Sequence, residues 1–196
     1  MRLSSSVLNC CVSIAMAMVG APGAWAAVHE CAAVNPTGSS YTWNFKSEAN
    51  TIFGDIHSEA RQAANHADTL AGFERAHVSW QTDGGQLQAI KSDVNDIGEN
   101  LCRLETIRPD LAPWQQHEVD RIAGNVMLMA DNTQDAIVFG NDHQSDLWMP
   151  AFHKYTGNIF SEAKAVSQST QNAMNYAGVT QEYRMLRQKM RVPSHS

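Results

Sequence analysis

The chain has 196 residues, 43% hydrophobic and 17% charged, with 14 Lys and Arg against 20 Asp and Glu, a formal net charge of −6. That length supports one domain with a real core. The negative balance, with acidic and basic residues interspersed, argues against nucleic acid and anionic membranes as partners, since either selects clustered Lys or Arg.

Residues 1–26 read as a secretory signal peptide. Arg2 gives a positive start, Val7 to Val19 is a largely apolar stretch, and Ala24-Trp25-Ala26 is an A-x-A cleavage signal. Asn9 and Ser13 interrupt the apolar stretch and no stop-transfer pattern follows, so no transmembrane segment is expected after processing. The expected destination is the periplasm or the medium. Cleavage leaves 170 residues from Ala27 onward and removes one basic residue, Arg2, which makes the mature chain one unit more negative. Cys10 and Cys11 leave with the leader. Cys31 and Cys102 remain, an even count in an oxidising compartment, and predict a disulfide. It would close a loop of about 70 residues, worth roughly 4 kcal/mol in the chain-entropy treatment.

Residues 27–42 contain Pro36, Gly38, Ser39 and Ser40 and read as an irregular N-terminal strap. From there the hydrophobic spacing is helical. The first helix is predicted from about Trp43 to Ala71, its stripe running through Phe45, Ala49, Phe53, Ile56, Ala60, Ala63, Ala67 and Leu70, with Gly72 as the stop. The second starts near Ser79, a good N-cap, and carries the coiled-coil-like seam Leu87, Ile90, Val94, Ile97, Leu101, Leu104. Gly84-Gly85 weakens its first turns, and Arg108-Pro109-Asp110 ends it. The third opens at Pro113 and uses Val119, Ile122, Val126, Met129, Thr133 and Ala136 to about Phe139, with Gly140-Asn141-Asp142 as the stop. The fourth opens at Pro150 and uses Phe152, Ile159, Ala163, Val166, Thr170, Ala173 and Ala177. Gly178 is a candidate break before a short amphipathic tail bearing Tyr183, Leu186 and Met190, and residues 192–196 read as a disordered tail.

Four long helices with short loops over residues 43–191 predict an all-α, antiparallel up-down four-helix bundle with an irregular N-terminal strap and a short C-terminal helical extension. Trp43, Trp80, Trp114 and Trp148 fall near the four helix starts. In this topology Trp43 and Trp114 would close one end, Trp80 and Trp148 the other. Cys102, one residue off the seam, would let a Cys31–Cys102 bond pin the strap across the base.

The chemistry-bearing residues form no recognised catalytic pattern, and no catalytic residue or cofactor is assigned. A di-iron centre wants Glu-x-x-His on two helices, and the spacing occurs once, at Glu74–His77, in a predicted turn. Glu59 and His66 fall at the flank of the first seam. His117-Glu118 lacks the second His of a zinc protease, no G-x-S-x-G elbow occurs, and no Cys-x-x-Cys-His holds haem. His143, His153, Asp142 and Asp146 read as solvated residues about the last loop. One metal site follows from processing: a free amine followed by Ala27, Val28 and His29 can place four nitrogens in a plane, which suits Cu(II) or Ni(II).

The stretches Ser40-Tyr41-Thr42-Trp43-Asn44-Phe45, Ala112-Pro113-Trp114-Gln115-Gln116 with Asp120-Arg121-Ile122, and Met129-Ala130-Asp131-Asn132-Thr133 carry a resemblance to a family of uncharacterised, exported, all-helical bacterial proteins. The resemblance implies export and a helical fold and brings no activity or site with it. The leading expectation is a non-enzymatic interaction or envelope-associated protein with an unknown protein partner, self-association remaining open. The alternative is a periplasmic carrier or sensor of a metal, haem or small apolar ligand held within or at the end of the bundle. A ligand bundle should show several inward polar residues at one level, and only Thr133 and Thr170 are expected to point inward.

Overall fold

A computed structural model describes residues 45–76 and 79–191. These residues form α1 (Phe45–Ala76), α2 (Trp80–Thr106), α3 (Pro113–Asp142) and α4 (Pro150–Arg191), with a 3-10 turn at Arg108–Asp110. The four helices make an antiparallel up-down bundle in which each packs on its neighbour in sequence and α4 closes the ring against α1. The signal segment, the strap with Ala27, Val28, His29 and Cys31, and Trp43 lie outside the described residues. Among the described residues no helix is long and apolar enough to cross a membrane.

The 3-4 spacing read from the sequence lines the core. Phe53, Ile56, Leu70, Ile90, Ile97, Leu104, Ile122, Met129, Phe152 and Ile159 are all fully buried. Each such side chain contributes about 1.5–3 kcal/mol on leaving water. The early jog in the first stripe is filled from both positions, since Ile52 and Phe53 are buried together. α1 and α4 share the most extensive interface. Both are rich in buried small residues, among them Ala60, Ala63, Ala67, Ala163 and Ala173. Small side chains let two backbones approach, and between them Ile52, Phe53, Ile56 and Leu70 of α1 and Phe152 and Ile159 of α4 fill the core beside the bulk of α2 and α3.

Gly72 and Gly178 do not end their helices, and α3 ends at Asp142, the last residue of its predicted stop. α1 runs through Gly72 to Ala76, α3 through Gly140 to Asp142, and α4 through Gly178 to Arg191 as one helix of 42 residues. An isolated glycine costs a helix only about 1 kcal/mol; around Gly72 and Gly140 the packing of the amphipathic face exceeds it, whereas the mostly exposed residues beyond Gly178 continue the helix by propagation from its packed part. Gly140 has a specific reason to be there: a Cβ would lie 2.5 Å from the Trp80 ring. Trp80 therefore caps the upper end of the bundle, as expected from its place at a helix start. Trp148 does not, being 55% exposed.

The lower corner, between α2 and α3, is tied by side chains of the α2–α3 turn and the first turns of α3. Buried Gln115 accepts the Ala112 N–H through Oε1 at 3.0 Å, which caps α3 in place of a side chain that alanine lacks. Gln116 donates from Nε2 to the carbonyls of Arg108 and Leu111, both at 3.1 Å. Arg108 pairs with Asp120 at 2.6 Å and with Glu105 at 2.7 Å. Trp114 meets the Tyr176 ring edge-on at 4.7 Å between centroids. These motifs are architectural.

Candidate functional site

Polar side chains sit along the helix seams at several heights. Between α1 and α2, His66 Nδ1 meets Asp93 Oδ2 at 2.7 Å, and Asn100 donates to both carboxylate oxygens of Glu59 at 3.0 and 3.1 Å. Glu59 and His66 thus hold the flanking places expected of them, now with partners. Between α1 and α4, His57 Nδ1 lies 2.9 Å from the Ser167 carbonyl. Between α3 and α4, Asn132 donates to Glu162 and accepts from Asn158. The inward threonines bond along their own helices: Thr133 donates to the Met129 carbonyl at 2.7 Å and Thr170 to that of Val166 at 3.0 Å.

The sequence reading undercounts buried polarity. Besides Thr133 and Thr170, the structure buries Glu74, Asp83, Asp93, Asn100, Gln115, Thr156 and Ser169. Glu74 and Asp83 stand apart because they converge on one small space. Glu74 was expected in a turn; helix α1 instead carries it inward at 3% exposure, below the 44%-exposed side chain of His153 on α4, whose Nδ1 contacts its carboxylate. Asp83, in the first turn of α2 and 2% exposed, lies beside it. The two line a cavity of about 100 Å³ under the α3–α4 loop, with Phe73, Gln144, Ser145 and Trp148 in its wall.

The electrostatics of this corner follow from burial. Desolvation pushes Asp83 up from 3.8 to about 6, and the like charge of Glu74 adds to the effect. Glu74 is raised for the same first reason, with Thr156 and His153 drawing it back down. Burial also raises Glu59, Asp93 and Glu162, each opposed by its hydrogen-bonding partner: Asn100, His66 and Asn132. Those three have good polar partners. Asp83 Oδ1 is buried and finds no hydrogen-bond partner among the described residues.

Of the residues expected around the last loop, His153 joins the site. His143 stacks on Phe139 at 4.3 Å between centroids and is exposed, as is Asp142. Cys102 is half-buried on α2, and its expected partner Cys31 lies outside the described residues. Among the described residues, no three His, Cys, Asp or Glu side chains converge to hold a metal ion.

No relative is found. Comparisons with protein-family models, curated proteins and solved structures give no match. Function therefore rests on surface and site chemistry alone.

Proposed function

We propose that this chain is an exported, non-enzymatic interaction protein whose working surface is the far end of α4. The observation that carries the reading is a stripe of apolar side chains left in solvent: Tyr176, Val179, Tyr183, Leu186 and Met190 are 54%, 66%, 64%, 58% and 78% exposed. Their 3-4-3-4 spacing is that of a helix-packing seam. α4 is about 63 Å long against about 48 Å for α1, taking 1.5 Å per residue. Contiguous exposed apolar surface with a polar rim marks a binding face. Exposed Arg184, Arg187 and Lys189 flank the stripe, so the complementary occupant is an acidic amphipathic helix of a partner protein.

The cleaved leader, the periplasmic or extracellular destination, the Cys31–Cys102 bond and kinship with exported helical bacterial proteins belong to the same reading. The test immobilises the mature protein and its Arg184→Glu/Arg187→Glu variant and challenges both with envelope extract. A partner with an acidic helix, retained by the first and lost by the second, is expected. Equal retention by both overturns the assignment. Sedimentation checks the competing occupant: a dimer abolished by Leu186→Asp would assign the stripe to a second copy instead.

A further inference from the structure

Two buried carboxyl groups share the upper-end cavity. Glu74 and Asp83 both line it, and the charge acting on Asp83 is the like charge of Glu74. Thr156, His153 and Arg75 all draw on Glu74, and no basic group acts on Asp83. His153 reaches Glu74 from α4 and is not part of the cavity wall. Asp83 Oδ1, in a residue only 2% exposed, has no hydrogen-bond partner among the described residues. A buried carboxylate oxygen with nothing to accept from is costly to leave unfilled.

We propose that this cavity binds a primary ammonium group. Such a group brings three N–H donors and one compact positive charge. The wall offers matching acceptors in Asp83 Oδ1, the Glu74 carboxylate, the Gln144 amide oxygen and the Ser145 hydroxyl. Phe73 and Trp148 in the same wall suit the cation and the carbon attached to it. A divalent ion fits less well, since only two carboxylates, with no third His, Cys, Asp or Glu side chain among the described residues, converge here, and it gains nothing from the two aromatic rings. Size sets the class of ligand. A cavity of about 100 Å³ has room for a methylammonium ion or the tip of a lysine. The ammonium can come from a small free amine or from a lysine presented by a partner.

The test titrates the folded mature protein, at constant ionic strength and pH 7.5, with methylammonium chloride and separately with Nα-acetyl-lysine amide, following backbone amide NMR shifts. Saturable shifts centred on Asp83 and Ser145 are expected, weakened at least tenfold by Asp83→Asn and also by lowering the pH to 5, where Asp83 holds its own proton. The tighter of the two probes identifies the source of the ammonium. Tetramethylammonium, which has no N–H, should not bind. The proposal is overturned if tetramethylammonium or calcium gives the same shifts, if neither amine saturates, or if Asp83→Asn, shown folded by its spectrum, binds as the parent does.

Discussion

Gly140→Ala is the sharpest test of the packing at the upper end, because two effects of known sign oppose each other there. In an exposed helix interior the change stabilises by about 1 kcal/mol. At Gly140 the new Cβ would stand 2.5 and 2.7 Å from Trp80 Cζ3 and Cη2, where carbon pairs prefer about 3.5–4.0 Å. The ring must withdraw by roughly 1 Å to restore that separation. It has little freedom to do so, since its other edge lies against Gly84, whose own Cβ would be 3.7 Å away. Overpacking of this kind costs about 1–3 kcal/mol, so the net change is a loss of up to about 2 kcal/mol. Gly124→Ala is the control, for that position is exposed in the same helix and nothing lies within 4 Å of the added atom. Urea unfolding should place the two variants about 1–3 kcal/mol apart, or some 2–12 °C in melting temperature. The gap should nearly close in a Trp80→Leu background. Gly140→Ala as stable as Gly124→Ala in the parent protein would refute the account of Trp80.

Asp83 titrates near 6 in the fold against 3.8 in the free side chain, so between those values the native state holds a proton that the unfolded chain has released. Stability therefore falls as pH rises through that window, and Asp83→Asn should gain on the order of 1–3 kcal/mol at pH 8 and nothing near pH 3; denaturant curves across pH that coincide for variant and parent would contradict this. His66→Ala leaves the buried Asp93 carboxylate without the 2.7 Å contact and should cost about 1–3 kcal/mol, a loss that Asp93→Asn in the same chain should partly restore. Ending the chain after Gly178 removes side chains that are mostly solvent-exposed, so bundle stability should stay within about 0.5 kcal/mol while partner retention is lost. A large drop in stability would mean that the arm packs on the bundle.

The bundle was legible because a 3-4 spacing at Leu87–Leu104 or Val119–Ala136 admits one periodic structure, and burial follows the stripe without exception there. Helix ends were less legible. Gly72, Gly140 and Gly178 look alike in sequence, and nothing beside Gly140 shows that Trp80 will pack on it. The upper-end site was partly written: Glu74 was picked out by its spacing to His77, yet its true partner, His153, lies 79 positions away. Asp83 carried no signal, since an acidic residue in a first helical turn is ordinarily a solvated dipole partner. Its burial comes from the loop folded over it. Conversely, the motifs that stood out, around Gln115 and Asn132, turn out to fasten corners and seams.

The alanine-rich contact between α1 and α4 raises a question of alignment that the bulkier seams do not. One small methyl is much like another, so the alanines alone would tolerate a slide of α4 by two turns, which the seating of Phe152 and Ile159 resists among the apolar contacts. The polar marks would change as well. His57 against the Ser167 carbonyl and Glu74 against His153 sit 17 residues apart on α1, about 25 Å, and both would be lost together. Those two pairs work as a vernier: they add little adhesion, but together with the seated Phe152 and Ile159 they select one setting of the rail, and with it how far α4 protrudes.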